Sequence, residues 1–67
     1  MLTVKTIENR VEQVRALAHD PERAHSEEDR LHVDVLHAIA TRQCRNSAAC
    51  ARAVLKTRDI SFARWCA

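Results

Sequence analysis

The densest grouping of side chains able to do chemistry is His25, Glu28, Asp29 and His32. Spacings of three and four place them near one face if the chain is helical there, and such a face could hold a metal ion or supply a general base. Zinc-protease helices carry two histidines four apart with a glutamate between them. Here the histidines are seven apart, and no third ligand can be named. The same residues also suit a helix N-terminus, where each carboxylate complements the helix dipole by about 0.3 to 1 kcal/mol. A second set, His37, Cys44, Cys50 and Cys66, could converge on zinc if a turn folds between the first two cysteines. It contains no CxxC pair, and buried free thiols are the alternative. Cys66, next to Arg64, comes nearest to the electropositive setting that a reactive thiol needs.

The third set is basic: Arg42, Arg45, Arg52, Lys56, Arg58 and Arg64. Two helices joined by a short turn at Cys44 to Ser47 would form a helix-turn-helix offering Arg52 and Lys56 to DNA. The second of those helices is alanine-rich and has no Asn or Gln with which to read bases. The same cations could instead bind a small anion, with Trp65 as a stacking surface, or an acidic protein surface.

These residues must be positioned by a short chain. It has 67 residues, no glycine, one proline, two aromatic side chains and eleven alanines. Without glycine, a fold with several left-handed turns is disfavoured, and the abundance of Ala, Arg and Glu favours helix over sheet. The class is all-α. So few bulky side chains make a small core, which predicts self-association as a dimer or larger. The net charge of +2 conceals segregation along the chain: residues 1–19 carry +1, residues 20–34 carry −4 and residues 35–67 carry +5. Acidic middle and basic end can complement one another within a bundle or between subunits. Three cysteines, no apolar leader after Met1 and no long uncharged stretch predict free thiols, no membrane span and a cytoplasmic protein.

Val4, Ile7, Val11, Val14 and Ala18 alternate at three and four, giving a first helix with Thr3 as cap and a Leu2–Ile7 staple. Two start signals then compete. Asp20-Pro21 matches a cap followed by a first helical residue, and Ser26 with Asp29 matches a capping box. The second is favoured, because Glu27, Glu28 and Asp29 would then fill the first turn. Helix 2 is expected to reach about Arg42, with Leu31, Val35, Leu36, Ala38 and Ile39 on its main apolar face and Val33 and Ala40 on another side. Asn46 or Ser47 caps a third helix whose face carries Ala51, Val54, Leu55 and the stem of Arg58. Ser61 as cap, with Ile60 and Trp65 as a staple, predicts a short fourth helix from Phe62 to Ala67 in which both aromatics fold back onto the core.

AHSEEDRLHVDVLHAIA (residues 24–40) and LKTRDISFARWCA (residues 55–67) resemble small helical proteins of tailed bacteriophages and prophages. That resemblance implies synthesis in a bacterial host and action by binding, inhibiting or sequestering a host component. It attaches no catalytic role to any residue. The sequence therefore predicts a single domain, residues 1–67, folded as a three-helix bundle with a short fourth helix. It is expected to bind a host protein or small anionic ligand, with no enzyme activity, cofactor or metal. The binding candidates are His25, Glu28, Asp29, Asp34, Arg52, Lys56, Arg64 and Trp65, and nucleic-acid binding through the basic half is the alternative.

Overall fold

In the computed structural model, which describes residues 1–64, the Thr3 hydroxyl accepts the Thr6 amide at 3.1 Å and so starts α1, Val4–Ala16. Each helix start leaves backbone amides without a partner within the helix, and a short polar side chain is the cheapest local acceptor. α1 buries Ile7, Val11 and Val14, three positions of the apolar seam read from the sequence. Leu2, just ahead of the cap, is half-buried, and its amide donates to the Gln43 carbonyl at 2.9 Å. The N-terminus is thereby tied to the turn between the next two helices.

α2 runs Pro21–Ala40, capped by Asp20 rather than by Ser26 as the capping box predicts. Asp20 is the cap, its carboxylate accepting the Arg23 amide, and Pro21 occupies the first turn. The early start wins because proline at the first helical position loses no hydrogen bond and is pre-set in φ, while starting there also buries Ala24 completely. Ser26 becomes an ordinary exposed helical residue, and Glu27, Glu28 and Asp29 sit inside the helix rather than at its end.

The end of α2 is closed by a paired-bond turn. The Gln43 amide donates to the Ala38 carbonyl at 2.7 Å, and the Arg42 amide to Ile39 at 3.2 Å, with Arg42 at φ 60°. This is the Schellman arrangement, which normally places glycine at the left-handed position. A chain without glycine puts arginine there, at a cost of about 1 to 2 kcal/mol. Asn46 then caps α3, Ser47–Leu55, its side-chain oxygen accepting the Ala49 amide at 3.0 Å. α3 runs directly into a single 3-10 turn, Lys56–Asp59.

The fourth helix does not form within residues 61–64. Ile60 turns the backbone extended at ψ 125°, and the chain continues without regular structure to Arg64. The physical reason is an alternative set of bonds: the Arg64 guanidinium takes the carbonyls of Thr57, at 2.8 Å, and Ile60, at 3.0 Å. Trp65, Cys66 and Ala67 lie outside the described residues.

All three helices close on one core. Ile7, Val14, Leu31, Val35 and Cys50 are its largest fully buried apolar side chains, and Ile60 and Cys44 complete it from the connecting segments. Each fully buried aliphatic contributes about 1.5 to 3 kcal/mol. Phe62 packs against this core from outside, as the fold-back reading expects of that aromatic. Leu36 and Leu55, expected on inner faces, are instead exposed at 66% and 59%. The true core stripe of α2 is Ala24, Glu28, Leu31, Val35 and Ala38, and that of α3 is Cys50, Ala53 and Val54. Both stripes are rotated away from the two leucines, because small alanine and cysteine side chains let the helices approach closely on that side.

Candidate binding surface

The His25, Glu28, Asp29 and His32 cluster separates: Glu28 and His32 both lie beside Thr57, while His25 pairs with Asp29. Glu28 enters the core at 2% exposure. Arg64 meets it with two parallel bonds, Nε donating to Oε1 at 2.8 Å and a terminal nitrogen to Oε2 at 3.0 Å. A paired fork of this kind is the strongest geometry available to a carboxylate. The same guanidinium lies 3.8 Å from the centre of the Phe62 ring. Burial pushes the Glu28 carboxyl up, but the Arg64 hydrogen bonds, the nearby Thr57 hydroxyl and the charges of Arg64 and His32 outweigh it, and the group titrates below the ordinary glutamate value. Arg64 is held more firmly protonated by its bonds to Glu28.

His32 also reaches Thr57. Its Nε2 lies 2.8 Å from the Thr57 hydroxyl, which itself donates to the Val54 carbonyl at 3.1 Å. His25 pairs at 3.5 Å with exposed Asp29 one turn on. Asp34 reaches back to α1, where Arg10 donates to it at 2.7 Å. Lys56 pairs with Glu8 of α1 at 3.5 Å. In the acidic segment Asp34 is thus paired by α1, Asp29 by its own His25 and Glu27 by its own Arg30, the last at 3.8 Å. Arg64 alone of the basic end reaches it among the described residues.

The two described cysteines are buried free thiols. Burial, followed by the adjoining Cys50, pushes the Cys44 thiol up, which keeps it protonated and a poor nucleophile. Among the described residues no three His, Cys, Asp or Glu side chains are grouped to hold a metal ion. Cys66, the third thiol of that candidate set, lies outside them, as does Trp65. Nor is any described helix long and apolar enough to cross a membrane.

What the structure places together instead is apolar. Between α2 and α3 runs an open groove of about 210 Å³ lined by Val35, Leu36, Ile39, Ala51, Val54 and Leu55, with His32 as the polar member of its wall. Val33, 63% exposed, extends the outward apolar surface of α2. At Leu55 the groove meets a shallow recess lined by Arg52, Lys56 and Asp59. Arg52 is exposed there and forms no ion pair among the described residues.

The sequence reading missed Leu36 and Leu55 as surface residues. Ala51, Val54 and Leu55, read as one face of helix 3, do share a side, but that side is the groove. The available signal was the apolar spread of helix 2 over more than half its circumference. Comparison with family models, with curated proteins and with solved structures finds no match to this chain.

Proposed function

We propose that this protein works by binding another macromolecule through the α2–α3 groove rather than by catalysis. The observation that carries the reading is the pair of leucines, Leu36 and Leu55, exposed on either side of an apolar groove. Isolated surface leucines are ordinary, but a contiguous apolar groove rimmed by polar residues marks an interaction site. The catalytic candidates are each occupied with structural partners: Glu28 with Arg64, His32 with Thr57, His25 with Asp29. Arg64, one of the cations considered for a small anion, is already satisfied by a carboxylate and two carbonyls. The resemblance to small phage and prophage proteins supports a component of a bacterial host cell as the partner.

Self-association is a second reading of the same surface, favoured by the exposure of Val33 and Leu36 together on the outer side of α2. The helix-turn-helix alternative has less support, since Lys56 is engaged by Glu8 and Asp59 sits beside Arg52.

The test is affinity capture from bacterial lysate with the wild-type protein and with Leu36→Ser combined with Leu55→Ser. Both sites are exposed, so each change should move stability by no more than about 0.5 kcal/mol, and the double variant should keep its melting temperature while losing the captured species. Recovery of the same species by both proteins overturns the reading.

A further inference from the structure

We infer that the Leu55 edge of the groove docks a second copy of this chain, the two molecules packing antiparallel along α3 about a two-fold axis between Leu55 and Lys56, a step that rests on the self-association reading above. The first observation is a pattern of charge. Arg52 and Asp59 are exposed and line one recess with Leu55 and Lys56. Lys56 is paired with Glu8, but neither Arg52 nor Asp59 enters an ion pair among the described residues. The recess therefore holds one free charge of each sign. An acidic partner would meet Asp59 there and a basic partner would meet Arg52, and juxtaposed like charges disfavour association. An uncharged partner would cover both and pair neither, which costs desolvation without return.

The second observation is the symmetry of the spacing. Arg52 lies three residues before Leu55 and Asp59 three residues after Lys56. Leu55 and Lys56 keep right-handed helical dihedrals, so α3 and the 3-10 turn form one rod. In a two-fold dimer every contact occurs twice with the roles exchanged, and the surface must carry both halves of each complementary pair. Copies running parallel would set Arg52 against Arg52 and Asp59 against Asp59. Copies running antiparallel about the midpoint of the rod instead set Arg52 of each against Asp59 of the partner subunit, twice. The same axis brings the two exposed Leu55 side chains to the middle of the interface, beside the apolar floor of the groove. An apolar centre within a polar rim is the common anatomy of a protein interface, and a chain with so small a core gains burial between molecules that it cannot gain within one.

Sedimentation equilibrium of the full chain at low salt and micromolar concentrations tests this, and should return the mass of a dimer. Arg52→Glu alone and Asp59→Arg alone should each raise the dimer dissociation constant about tenfold, the equivalent of about 1.4 kcal/mol, because each turns both pairings into like-charge contacts. An equimolar mixture of the two variants should re-form the dimer, since each then supplies the charge that the other lacks. Such rescue between chains cannot come from a change in the fold of either one, and circular dichroism should show both variants as helical as the wild type. A mixture that stays dissociated overturns the inference. A dimer indifferent to both charge reversals but dissociated by Leu36→Ser overturns it as well, while upholding self-association through another part of the surface. A monomer at every concentration overturns both the inference and the self-association reading, and the lysate capture described above then decides separately whether the groove docks a different macromolecule.

Discussion

A carboxylate taken out of water needs a counter-charge and hydrogen bonds, and at Glu28 one residue, Arg64, supplies both. Removing one partner of a buried pair leaves the other charged in an apolar setting, which costs about 3 to 5 kcal/mol. Arg64→Ala should lose that much in urea unfolding at neutral pH, a large share of the 5 to 15 kcal/mol typical of a whole domain. The pH dependence has a definite sign. Because the folded carboxyl titrates below its unfolded value, its contribution is complete above about pH 4.3, the ordinary glutamate value, and fades as pH falls through the lower folded one. The gap between wild type and Arg64→Ala should therefore narrow on acidification, and a gap that is constant from pH 7 to pH 3 would show that the pair is not the source. Both members were singled out in the sequence as binding residues. Nothing local links them, since they lie 36 positions apart, and only the closed fold reveals that they bind each other.

At the level of elements, the competition at the start of α2 is decided by Asp20 and Pro21. Asp20→Ala should cost about 1 kcal/mol, as for loss of a helix cap, whereas Ser26→Ala should be neutral or slightly stabilising because alanine is the better interior helix former. Thermal melts followed by circular dichroism would settle the point, and a larger loss at Ser26 would restore the later start. α1 was legible because its narrow seam at spacings of three and four admits one orientation, and Thr3 and Asn46 were legible because capping is local chemistry. The faces of α2 and α3 were legible only in part: Leu31, Val35 and Ala38 of the face expected for α2, and Val54 of that expected for α3, are buried, but Leu36 and Leu55 are not. Where apolar residues cover more than half of a helix, periodicity cannot choose which stripe points inward. The decision fell to packing, which sent Ala24, Ala38, Cys50 and Ala53 inside and left Leu36 and Leu55 out. The groove was hidden in the sequence for the same reason: it consists of residues that any hydrophobicity argument assigns to the core. Over residues 61–64 the fourth helix does not form because carbonyl bonding by Arg64 competes with a local cap, and such competition has no signature in spacing.

Over the whole molecule, pairing within the chain consumes the negative charge and leaves a modest positive excess on the α3 side. Non-specific affinity for DNA scales with the number of phosphates neutralised. With Lys56 engaged and Asp59 beside Arg52, duplex DNA should bind weakly at about 0.15 M salt, and Arg52→Ala with Lys56→Ala should change little. Sub-micromolar, sequence-dependent affinity under those conditions would favour the helix-turn-helix reading instead. The Glu28–Arg64 fork has one more consequence, in the kinetics of folding. If the helices collapse through α1, α2 and α3 before the segment after Ile60 wraps back, the fork closes a long loop only after the main barrier has been crossed. Interactions absent from the transition state slow unfolding without hastening folding. The fork then acts as a latch on the lifetime of the native state, and its loss should appear in stopped-flow experiments as a steeper rise in the unfolding rate than fall in the folding rate.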